Sequence, residues 1–158
     1  MCKKGFTLVE VLISIVLLGV AICAILGANV SFTKANGAGT KLATAEFLTE
    51  QIRTITAMAD VVDPQTGTGV WGAEEGSVSL YDDLDDFDGL TFSPPIDANA
   101  NSLSALAGYS QRVIVENVSA SNFGQTVGDH GSDFVRVTVI ILSGGEEITR
   151  MSWVRAGF

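Results

Sequence analysis

The sequence predicts an α+β fold: a long N-terminal helix, apolar and then amphipathic, packed against a small antiparallel β-sheet with a C-terminal hairpin. Three observations carry this reading. No charged residue stands between Val11 and Thr33. Apolar residues then recur at three- and four-residue spacing from Leu42 to Ile55. Finally, Phe134 to Leu142 alternates with a period of two and runs into Ser143-Gly144-Gly145.

The uncharged run is longer than the ~20 residues that cross a bilayer as helix. Lys3 and Lys4 precede it, which puts the N-terminus on the cytoplasmic side and everything after residue 33 across the membrane. A secretory signal peptide does not fit, because its apolar core is only ~7–15 residues long and Glu10 interrupts the start of this one. A lipoprotein signal built on Cys23 would need a small residue where Ile22 stands. An ordinary signal anchor explains the length and the lysines but leaves Glu10 without a purpose. A carboxylate at mid-bilayer costs up to ~2.5–3.5 kcal/mol on insertion scales, so it should have a partner.

Lys3-Lys4-Gly5-Phe6-Thr7-Leu8-Val9-Glu10 supplies one. This stretch of basic leader, glycine, phenylalanine and a glutamate four residues on, followed by an apolar run, resembles the signature of prepilins. These are the precursors of type IV pilins and type II secretion pseudopilins. The resemblance covers about 30 residues. It implies that a prepilin peptidase cuts between Gly5 and Phe6, that the new amino terminus of Phe6 is methylated, and that Glu10 pairs with the Phe6 amine during assembly. The pairing has its own physical logic: one helical turn places residues 6 and 10 on the same face, and a buried pair of opposite charges is tolerated where a lone carboxylate is not. The resemblance further implies other pilin or pseudopilin subunits and an inner-membrane assembly platform as partners. The chain then divides into a leader (1–5), a transmembrane helix and filament core (6–33), an amphipathic helix (34–60) and a globular β-rich domain (61–158).

In the amphipathic stretch Leu42, Ala45, Leu48, Ile52 and Ile55 form the apolar stripe, and the helix should end near Asp60. Gly19, Gly27, Gly37 and Gly39 weaken it by up to ~1 kcal/mol each relative to alanine. Gly27 permits either local melting in a filament or close helix packing. Residues 61–76 read as loop, with Asp63-Pro64 and several glycines. Short strands are expected at 77–81 and 90–92 and a longer one at 108–118. The final hairpin should place Val135, Val137, Val139 and Ile141 on one face, with Glu146 to Arg155 returning beside them.

The formal charge is −9, or −11 once Lys3 and Lys4 are removed, which disfavours nucleic acid as a partner. Cys2 lies in the leader and Cys23 in the anchor, so the globular part has no disulfide. His130, the one histidine, sits in Gly128-Asp129-His130-Gly131 and reads as an exposed loop residue without an orienting partner, so no enzyme is expected. Gly67-Thr68-Gly69 lacks the strand–helix context of a phosphate loop. Trp71, Trp153, Phe87 and Phe92 read as core or subunit contacts. The conspicuous chemistry is Asp82, Asp83, Asp85, Asp86 and Asp88, five carboxylates in seven residues. It can be a solvated acidic loop needing no cofactor, or a calcium site, since calcium takes six to eight oxygens. The spacing is not that of an EF-hand. The expected function is a structural subunit, a minor pilin or pseudopilin, held in the inner membrane and then in a pilus or pseudopilus. The rival is a membrane-anchored extracytoplasmic binding module that never polymerises.

Overall fold

The computed structural model describes residues 5–65, 67 and 70–157, so Cys2, Lys3-Lys4 and Thr68-Gly69 lie outside the described residues. Two compact units are present, Met1–Thr40 and Lys41–Phe158. Helix α1 (Leu8–Met58) contributes to both and is helical through all four glycines.

In the first unit the apolar side chains from Leu8 to Phe32 are 48–78% exposed. Such a surface needs lipid or other helices to cover it. Its hydroxyls are satisfied by the helix itself: those of Ser14, Ser31 and Thr33 donate to the carbonyls four residues back, at 2.7, 3.1 and 2.9 Å. That removes the cost of placing unpaired hydroxyls in an apolar medium.

The second unit is built on a five-stranded antiparallel sheet. Its strands are β1 (Thr91–Phe92), β2 (Tyr109–Ser119), β3 (Asn122–Thr126), β4 (Phe134–Ser143) and β5 (Glu146–Ala156). The order is β1-β2-β4-β5, with β3 paired to the end of β2. Gly144 and Gly145, at φ of 61° and 86°, form the two-residue turn between β4 and β5; two successive positive φ values are what a type I′ hairpin turn demands. The predicted face is buried: Val135, Val137, Val139 and Ile141 join Val113 and Val115 of β2 against Ala45, Leu48 and Ile52 of α1. Burying each large aliphatic side chain here contributes about 1.5–3 kcal/mol.

Several expectations are corrected. Residues 77–81 make no strand; Val78–Leu80 is a 3-10 turn, because its alternating residues find no ladder partner. β3 was not anticipated, since every one of its residues is exposed. The helix stripe is also shifted: Leu42 is 43% exposed, while Thr49 and Thr56 are fully buried. Their hydroxyls donate to Ala45 and Ile52 carbonyls at 3.0 and 2.9 Å, which lets a threonine occupy a core position.

Two polar side chains bind the sheet to the helix. Gln111, fully buried on β2, donates through Nε2 to the carbonyls of Leu48 (2.9 Å) and Ile96 (3.1 Å) and accepts from the Ile96 amide (2.7 Å). Arg155 of β5 donates to the carbonyls of Thr56 and Ala59 at the end of α1.

Candidate functional site

Two places concentrate chemistry, one in each unit. At the start of α1 the Thr7 amide and hydroxyl donate to Glu10 Oε2 at 2.8 and 2.9 Å, and the Glu10 amide donates to Thr7 Oγ1 at 3.3 Å. This reciprocal arrangement is a capping box, which satisfies amides that a helix N-terminus otherwise leaves open. The sequence reading gave Glu10 the Phe6 amine as partner and overlooked Thr7, although the Thr-x-x-Glu spacing was there to be read. Helix therefore begins at Leu8, and Phe6 stands just outside it, rather than one turn below Glu10 on a shared helix face. Phe6 is 89% exposed, and the space a Gly5 side chain would occupy is open. The Gly5–Phe6 peptide is thus open to its surroundings.

The second place is the aspartate segment. Leu84 and Phe87 are fully buried and anchor a 3-10 turn, Asp85–Phe87, while Asp60 N–H donates to Asp82 O (2.8 Å) and Leu84 N–H to Asp60 O (2.9 Å). Pinned at both ends, the turn draws its carboxylates inward: Asp83, Asp85 and Asp86 are 1%, 4% and 1% exposed. Backbone amides fix their orientation. Asp83 Oδ1 accepts from the Asp86 amide, and Asp86 Oδ2 from the Asp82 amide, each at 3.1 Å.

The five predicted aspartates do not act together. Asp83, Asp85 and Asp86 converge, with one oxygen of each within 4.8 Å of the others, and Glu74 and Glu75 approach Asp86 as closely. Asp88 is engaged elsewhere: its oxygens accept from the Val115 amide (2.8 Å) and from Trp71 Nε1 (3.2 Å). Asp82 Oδ2 accepts from the Gln65 side-chain Nε2 at 2.9 Å. Glu74 and Glu75 were not singled out from the sequence, lying seven or more residues before the aspartate run.

His130 is not the exposed loop residue expected. Its side chain is 14% exposed, with Nε2 3.8 Å from Asp85 Oδ2 and 2.9 Å from the Val70 carbonyl. Its ring meets Trp71 edge to face at 5.2 Å. The surroundings are strongly anionic. Burial, then the contact with Asp83 and the neighbouring charges, pushes the Asp85 carboxyl up to about 8. Burial and the contact with Glu75 push Asp86 up to about 6, against the opposing pull of the Asp83 amide. Burial raises the Tyr81 hydroxyl too, with the charges of Asp86 and Glu75 adding to it. An ionised carboxylate buried without a partner costs roughly several kcal/mol, so this arrangement calls for protons or a cation.

Residues 1–26 match the family model of the prokaryotic N-terminal methylation motif. No curated protein and no solved structure matches the chain. The match takes in Lys3-Lys4, the Gly5–Phe6 junction, Glu10 and residues 8–26 of α1, a helix long and apolar enough to cross a membrane. What stands at the head of this pilin-like α+β fold is therefore a prepilin-type signal, the hallmark of type IV pilin and pseudopilin precursors.

Proposed function

We propose that the chain is a structural subunit, a minor pilin or pseudopilin, of a type IV pilus-like or type II secretion filament. The observation that carries this is the methylation motif on a helix whose apolar side chains are 48–78% exposed from Leu8 to Phe32. A single-pass anchor would need lipid alone; a helix that is also a filament core exchanges lipid for the same helix of other subunits. On this reading prepilin peptidase cuts after Gly5, Phe6 is methylated, and an inner-membrane platform extracts the subunit into a growing filament. The globular unit faces the extracytoplasmic side throughout. Glu10, released from its cap on Thr7, then pairs with the Phe6 ammonium of its own or a neighbouring subunit.

Cysteine cross-linking between copies, with substitutions in the apolar segment, tests the reading. Disulfide-linked ladders in sheared surface or pseudopilus material are expected. A chain confined to the membrane fraction, without ladders, would instead indicate an anchored binding module.

A further inference from the structure

We propose that Asp83, Asp85 and Asp86, with Glu74 and Glu75 beside them, form a calcium-binding site in the globular unit. Acidic side chains are commonly grouped on surfaces, where water and salt screen them; these are not. Asp83, Asp85 and Asp86 are all more than nine-tenths buried. As carboxylates, Asp83 Oδ2, Asp85 Oδ1, Asp86 Oδ1 and Glu75 Oε2 are buried atoms with no hydrogen-bond donor. One oxygen of each aspartate lies within 4.8 Å of the others, and Glu74 and Glu75 come as close to Asp86, a convergence of like charges that a cation would relieve.

The geometry favours the cation. One oxygen of Asp83 and one of Asp86 are tied to backbone amides, so their second oxygens are held in place before any ligand arrives. Among the described residues no lysine or arginine forms an ion pair with Asp83, Asp85 or Asp86; His130 stands 3.8 Å from Asp85. The donors at the centre are all carboxylate oxygens, which suits a hard cation. Zinc prefers sulfur and nitrogen. Magnesium is small, demands octahedral geometry and sheds water reluctantly, whereas calcium accepts six to eight oxygens in irregular arrangements. A calcium ion here would tie the end of α1, bridged through Asp60 to Asp83, to the loop carrying Glu74 and Glu75 and to the His130 loop. The site goes beyond the filament reading and can be tested whether or not the chain polymerises.

The test uses the full chain in detergent, stripped with a chelator and titrated calorimetrically with calcium chloride or magnesium chloride. We expect one saturable calcium per chain, with magnesium binding at least about 10-fold more weakly. D85N/D86N should lower calcium affinity by about 100-fold or more. E75Q, at a half-buried position, should lower it by about 10-fold. D97N, in the separate 97–101 loop, should leave it unchanged. Absence of saturable calcium binding would overturn the site, as would equal affinity for magnesium. Unchanged affinity in both E75Q and a folded D85N/D86N protein would do the same.

Discussion

The Arg155 guanidinium lies 2.6 Å from the Ala59 carbonyl oxygen and also donates to the Thr56 carbonyl. The last turn of α1 has no basic residue of its own, so β5 supplies the positive charge that the helix C-terminus favours. A residue near the end of the chain thereby holds a helix end about a hundred positions earlier. Charge-assisted hydrogen bonds of this kind contribute about 1.5–3 kcal/mol. Arg155→Ala should therefore lower the thermal midpoint of the globular unit by several degrees. Arg155→Lys should recover part of that, since one ammonium cannot reproduce the fork of donors.

Gln111 makes a sharper case. Its oxygen accepts from the Ile96 amide and its nitrogen serves two carbonyls, so every polar edge of the side chain is used. Gln111→Ala orphans the Ile96 amide at a cost of about 1–3 kcal/mol. Gln111→Glu should be worse despite being nearly isosteric, because its second oxygen would face the Leu48 and Ile96 carbonyls with no proton to offer. Urea unfolding at neutral pH checks the order. A glutamate variant as stable as the wild type would contradict the assignment of the amide nitrogen.

The processing prediction follows from the open Gly5–Phe6 junction. Mass spectrometry of the mature protein should find methylated Phe6 as its first residue. Gly5→Val or a larger side chain should leave the precursor uncut. A mature chain beginning at Met1 would sink the processing reading.

Glu10 now has two roles to separate, capping α1 through Thr7 and pairing with the processed terminus. Thr7→Ala removes the hydroxyl cap, worth about 0.5–2 kcal/mol of local helix stability, but keeps the carboxylate. Glu10→Ala removes the carboxylate and its bonds to Thr7 but keeps the hydroxyl cap on the residue-10 amide. If pairing drives assembly, Thr7→Ala should enter filaments at close to wild-type levels, while Glu10→Ala inserts in the membrane yet fails to incorporate. Equal loss in the two variants would assign the effect to the cap.

The contrast between what was legible and what was not has physical causes. The α1 helix and the β4–β5 hairpin announce themselves through local periodicity and through Gly144-Gly145 at the turn. β3 carries no such signal, because Asn122–Thr126 buries nothing and pairs in irregular register with the end of β2. Thr49 and Thr56 were overlooked as core because their hydroxyls are satisfied within the helix, which a polarity pattern cannot reveal. The aspartate run was visible, but not which members would meet. That is decided by the burial of Leu84 and Phe87 and by long-range partners: Val115 takes Asp88 away, while His130 and Glu75 come in. Composition placed the charge; tertiary packing chose its geometry.

That geometry predicts an unusual dependence on pH. In the cation-free protein Asp85 and Asp86 titrate near 8 and 6, against about 3.9 in the unfolded chain. Between these values the folded state holds protons that the unfolded state has released. Stability is therefore greatest below about pH 4 for this pair of groups and is lost as pH rises through 6 and then 8. Chelator-treated protein should show a thermal midpoint falling by at least ~5 °C from pH 5 to pH 8.5, with D85N/D86N flattening the curve. Calcium reverses the sign, because it binds the deprotonated carboxylates and stabilises only the folded state. Its stabilising increment should be small at pH 5 and largest above pH 8, where no proton competes. A midpoint that rises with pH in the presence of chelator would show that the buried carboxylates are not held protonated, and the opposition between proton and cation at this turn would be wrong.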